Sequence, residues 1–158
     1  MPINATFKAF ALATMVAVSA PAMVMADEVT TYTQEGIAIN GTDPVAYFTE
    51  GKPVQGTAEF TTTYDDVTWQ FSSAENLEKF KSDPAKYAPQ YGGWCATGMS
   101  FGVKLPIKSD LWRIVDGKLY LNAHDGAMKR FNEKTEEVIE NANTNWPNVK
   151  DIPADELG

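Results

Sequence analysis

The apolar positions of this chain change period several times, and each change predicts an element. Residues 36–41, GIAING, are a short apolar run that predicts a strand. In TDPVAYF, Asp43-Pro44 favours a turn, and Val45, Tyr47 and Phe48 are apolar enough to bury. EGKPVQG (50–56) is a loop punctuated by Gly and Pro. TAEFTTTY and VTWQFS alternate threonines with aromatics on either side of Asp65-Asp66, which predicts a hairpin. SSAENLEKF switches to helical spacing. Leu77 and Phe80 share a face, Ser72 or Ser73 supplies the N-cap, and Glu75, three after Ser72, completes a capping box. Asp83-Pro84 stops this helix and starts a short second one, with Pro84 in its first turn and Tyr87 closing it before Pro89.

LWRIVDGKLYLN predicts a second hairpin, because Asp116-Gly117 separates two runs rich in β-branched and aromatic residues. DGAMKRFNEKTEEVIENANTNW predicts one last helix: Met128, Phe131, Thr135, Val138 and Ile139 recur at helical spacing against a charged face. Pro147 and Pro153 should stop that helix and leave a polar tail. No internal repeat or low-complexity segment is visible. The order of elements predicts one α+β domain, an antiparallel sheet with helices against one face.

The first 26 residues differ from the rest. Lys8 and the amino terminus precede an apolar run over residues 9–20, and Val24-Met25-Ala26 offers small residues at a cleavage site. That pattern predicts a secretory signal peptide cut after Ala26 and a periplasmic protein. The run is shorter than the roughly 20 residues that span a bilayer. The expected organisation is a leader over 1–26, a domain over 27–149 and a polar tail over 150–158. Loss of Lys8 takes the formal charge from −8 to −9. So acidic a domain does not seek nucleic acid or anionic lipid.

An exported chain with one cysteine makes no internal disulfide. Cys95 is therefore buried, reactive, or joined to a partner protein in a mixed disulfide. Cys95, Met99, His124 and Met128 form a candidate soft-ligand set for copper, with Cys95 and Met99, and His124 and Met128, each four apart. Against this, both methionines serve as core fillers and His124 as a cap. Cysteine hydrolysis needs a base oriented by a third group, which His124 beside Asp125 does not provide. A metal-free alternative is an aromatic pocket near Asp43 and Tyr47, with Trp94 on its wall. Asp65-Asp66 reads as a turn, and Glu133, Glu136, Glu137 and Glu140 as a solvated helix face. Gly92-Gly93 alone is no phosphate loop.

GTDPVAYFTEGKPVQG, WQFSSAENLEKFKSDPAKYAPQYGGWCA and WRIVDGKLYLN together resemble the YHS-domain family, in its small exported branch, from about Gly36 to Val149. The wider family is similar to cysteine-bearing metal modules found beside copper and heavy-metal proteins. Their thiolates match Ala46 and Ser72 here, so both are missing, while Cys95 belongs to a Gly-Gly-aromatic-Cys-Ala motif of the exported branch. The resemblance implies a small periplasmic binding module, with copper anchored at Cys95 as its sharpest form. A structural or partner-linked Cys95, or the aromatic pocket, are the alternatives.

Overall fold

A computed structural model describes residues 29–158. The expected leader lies outside the described residues. The fold is α+β. Its strands are β1 (Thr33–Gln34), β2 (Ile37–Ala38), β3 (Thr57–Tyr64), β4 (Val67–Phe71), β5 (Lys108–Val115) and β6 (Lys118–Asn122). Its helices are α1 (Ala46–Thr49), α2 (Ala74–Ser82), α3 (Pro84–Tyr87), α4 (Ala96–Met99), α5 (Asp125–Glu133) and α6 (Thr135–Val149). The first four strands form a sheet in the order β1-β2-β4-β3, and β5 and β6 form a separate hairpin. Three of the four strand pairings are antiparallel, as expected, and one departs from that pattern: β2 meets β4 in parallel, Ile37 facing Thr68. The strand in GIAING is also shorter than expected: it ends at Ala38, and Ile39–Gly41 turns as a 3-10 segment.

Both hairpins close where expected. Asp65 and Asp66 have φ of 48° and 56°, and Asp116 and Gly117 have 51° and 76°. A two-residue loop with positive φ at both positions is the turn that matches strand twist. Ser73, rather than Ser72, caps α2, its side chain accepting from the Asn76 N–H. The expected last helix is broken in two at Lys134, whose φ of −132° and ψ of 39° leave the helical region. Thr135 bonds back to the Phe131 carbonyl at 2.7 Å, a local alternative to the helical ladder. Pro147 does not stop α6, which runs on to Val149. It is exposed and near the helix end, so a single ladder bond is lost there.

The elements contain a repeat that the residues conceal. Adding 51 to the bounds of β3, β4, α2 and the start of α3 gives those of β5, β6, α5 and the start of α6. The bulges coincide: Thr57 and Thr61 face Phe71 and Gln70, as Lys108 and Trp112 face Asn122 and Leu121. So do the N-caps, Ser73 and His124, and the helix breaks, Asp83 and Lys134. The ring pairs Trp69–Phe80 and Tyr120–Phe131 both stand 5.4 Å apart. Across these elements only Asp65/Asp116 and Phe80/Phe131 are identical. Phe71 and Phe80 lie in one core cluster and Tyr120 and Phe131 in another, and the first also takes Leu119, Leu121 and Ala127 from the second unit.

Lys104 ties the chain ends together. It is 3% exposed, and its Nζ donates to the carbonyls of Val29, Lys150 and Ile152, each at 2.7 Å. The faces of Trp94 and Trp146 lie 5.7 and 5.8 Å away. The expected tail is thus fastened at residues 150–152. Burial draws the ammonium down to about 8, against the opposite pull of Asp151. The unfolded chain keeps this proton to about 10.5. Between those values it binds more protons than the folded chain, so stability rises with pH. The rise ends near 9.0, where unfolding would release the Cys95 thiol, and reverses near 10.0 as Tyr47 and Tyr91 follow, since burial keeps all three protonated in the fold. Urea midpoints should climb through this window in the parent chain and not in Lys104→Met; parallel profiles would contradict it.

Candidate functional site

Asp43 is the hub of the first unit. Its carboxylate is fully buried. Oδ1 accepts from the N–H groups of Val45 and Ala46 at 2.8 and 3.3 Å, shaping the turn into α1. Oδ2 accepts from the Ser72 N–H at 2.9 Å, the Ser72 hydroxyl at 2.7 Å and the Asn76 amide at 2.8 Å. It therefore fastens α1 to the β4–α2 junction. Tyr47 is also buried; its hydroxyl donates to the Ser109 carbonyl at 2.7 Å, and its ring packs on Trp112. Trp94 donates to the Thr30 carbonyl at 3.1 Å and packs on Tyr32. The structure thus engages these candidates in internal contacts.

Cys95 does for the second unit what Asp43 does for the first. It is 0% exposed and caps α4. Its Sγ accepts from Gly98 N–H, three residues on, and from Ala123 N–H, both at 3.3 Å. Ala46 stands three after Asp43, and Ser72 and Ala123 each precede the N-cap of the next helix. The thiol lies 3.7 Å from Asn122 Oδ1, toward which it donates. Burial pushes its pKa up, and the surrounding N–H groups pull it back. A thiol so enclosed reacts through opening of the fold. Labelling by an aromatic disulfide reagent should be slow in buffer and fast in denaturant; immediate native labelling would refute the enclosure.

The other soft groups are separated in role. Met99 is fully buried in the second core. His124 is exposed, and its Nδ1 accepts from Ala127 N–H at 3.0 Å as the cap of α5. Met128 Sδ accepts from the Asn122 amide at 3.5 Å. Cys95 and Met128 thus flank one carboxamide. Among the described residues no three His, Cys, Asp or Glu side chains are grouped to hold a metal.

An open aromatic cleft of about 340 Å³ lies elsewhere, between the Tyr64-Asp65 turn, Ala85 and Ala88, Tyr91, and the α6 end with Trp146 and Lys150. Its volume suits a small ligand. Gly92 also lines it and has φ of 61°. A Cβ there would sit 2.0 Å from the Thr30 carbonyl oxygen, so glycine lets the N-terminal segment lie against this loop. Sequence reasoning missed the cleft because its walls come from four distant stretches. Its one local signal was the turn at Asp65-Asp66.

With this geometry in place, the comparisons fall on the first unit. Residues 45–91 match the family model of the YHS domain. No curated protein and no solved structure matches the chain. The YHS match begins two residues after Asp43 and ends at Tyr91, so it holds β3, β4, α2, α3 and much of the aromatic cleft. The two positions that carry thiolates in the cysteine-bearing modules, Ala46 and Ser72, meet here at the Asp43 carboxylate. With no sulfur at either, the junction is a hydrogen-bond hub and does not fit the family's two-thiolate metal site. Among the described residues no helix is long and apolar enough to cross a membrane.

Proposed function

We propose that this chain is an exported small-ligand binding module built on a YHS domain, with the aromatic cleft beside Asp65 as its site. The supporting observation is the cleft itself. It lies largely in the YHS segment, presents Tyr64, Tyr91 and Trp146, and sets Asp65 and Lys150 among its lining residues. Aromatic walls favour a flat apolar body, and the two charges orient polar ends. The export part of the reading rests on the leader pattern of residues 1–26. Screening a set of small aromatic acids and amines by amide chemical shifts provides the test. Shifts should gather at Tyr64, Asp65, Ala85, Tyr91 and Trp146. Shifts scattered over the surface, or none, would overturn the assignment.

A second reading has one specific observation in its favour: Cys95 Sγ and Met128 Sδ lie on either side of the Asn122 carboxamide. Rotation of that side chain would bring a thiolate and a thioether to one opening, a soft pair that suits copper(I). Anaerobic copper(I) titration against a competing chelator tests it. Tight one-to-one binding lost in Cys95→Ser would support it, and equal binding by the mutant would sink it.

A further inference from the structure

The repeat gives the aromatic cleft a counterpart. Tyr64, Asp65, Ala85, Ala88 and Gly92 line the first; residues 51 further on, Val115, Asp116, Glu136, Ile139 and Asn143, line a second of about 570 Å³. The two differ in their outer wall. In the first, the end of α6 closes the side with Trp146 and Lys150, four residues apart and on one helix face. The second is larger and has no such wall among the described residues. Its floor is half-buried Val115 and Ile139. Its rim carries the exposed carboxylates of Asp116, Glu136 and Glu140, none of which has an ion pair among the described residues.

We propose that this second groove docks an amphipathic helical segment of a partner protein, with an aromatic anchor on Val115 and Ile139 and a Lys or Arg one turn away. The chain's own structure supplies the precedent, since the equivalent cleft is walled by a helix bearing that pair. Charge complementarity selects the basic residue, because every charged residue lining the groove is acidic and the apolar floor fixes where the anchor goes. The inference stands apart from the small-ligand reading, which concerns the first cleft.

The test is fluorescence anisotropy of the full chain with a labelled alanine-based helical peptide that carries one Trp and a Lys four residues later. Saturable binding is expected. Glu136→Gln with Glu140→Gln should weaken it roughly threefold to tenfold. Ile139→Gln should weaken it by more than about tenfold through loss of the apolar floor. Glu75→Gln with Glu78→Gln on α2 removes the same charge elsewhere and should leave it unchanged. Absence of saturable binding overturns the proposal. So does binding that responds equally to both double variants, or that ignores Ile139→Gln in a chain whose circular dichroism is unchanged, since either would mark general attraction to an acidic protein.

Discussion

Asp43→Ala should lower the stability of the fold by about 3–5 kcal/mol, to be read from urea unfolding with an unchanged denaturant slope. The size follows from what the carboxylate serves. Five donors converge on its two oxygens: the N–H groups of Val45, Ala46 and Ser72, the Ser72 hydroxyl and the Asn76 amide. Alanine leaves these donors unpaired in a site closed to water, each costing about 1–3 kcal/mol before the structure relaxes. It also cuts the link between α1 and the β4–α2 junction. Asp43→Asn keeps the shape but replaces one acceptor with a donor that faces other donors, so it should recover only part of the loss. A cost under about 1 kcal/mol for Asp43→Ala would show that the hub is dispensable.

Cys95 holds the same place in the second unit, with weaker chemistry. The thiol takes two N–H groups, both at 3.3 Å, where the carboxylate takes five donors at 2.7–3.3 Å. This answers why the chain carries its one cysteine in a Gly-Gly-Trp-Cys-Ala stretch. The two glycines let the N-terminal segment and Ile39 approach, and the sulfur ends the loop by capping α4. A soft-metal role would have to be superimposed on that structural one.

What the residues disclose and conceal follows from range. Asp116-Gly117 and Asp65-Asp66 are legible because a two-residue turn is a local requirement. The stop at Asp83-Pro84 is legible for the same reason. The cap is legible as Ser72 or Ser73, and Ser73 takes it; the capping box from Ser72 to Glu75 does not form, because Asp43, 29 residues away, claims the Ser72 hydroxyl. The parallel pairing of β2 with β4 and the carbonyl cage around Lys104 are long-range outcomes with no local mark. The repeat is hidden because roles persist while residues change. Ser73 and His124 both cap, Trp69 and Tyr120 both stack on a phenylalanine, and Asp43 and Cys95 both gather N–H groups.

Phe80 and Phe131 provide the decisive test of that equivalence. Both are fully buried, one in each core. Phe80 packs on Tyr64, Trp69 and Phe71, and Phe131 on Tyr120, with the Arg113 guanidinium 5.6 Å from its ring. Truncation of a buried phenylalanine to alanine costs about 3–5 kcal/mol, set by how far the cavity collapses. Phe80→Ala should fall at the upper end, because three aromatic rings cannot close in on the space. Phe131→Ala should be milder within that range, because flexible Arg113 can follow the void. Since the two rings sit in different cores, the losses should add in the double variant to within about 0.5 kcal/mol. If the units are one fold used twice, hydrogen exchange should show each substitution loosening its own hairpin and helix first. A uniform loss of protection from either change would mean that the two cores unfold as one, and that the repeat is a matter of shape alone.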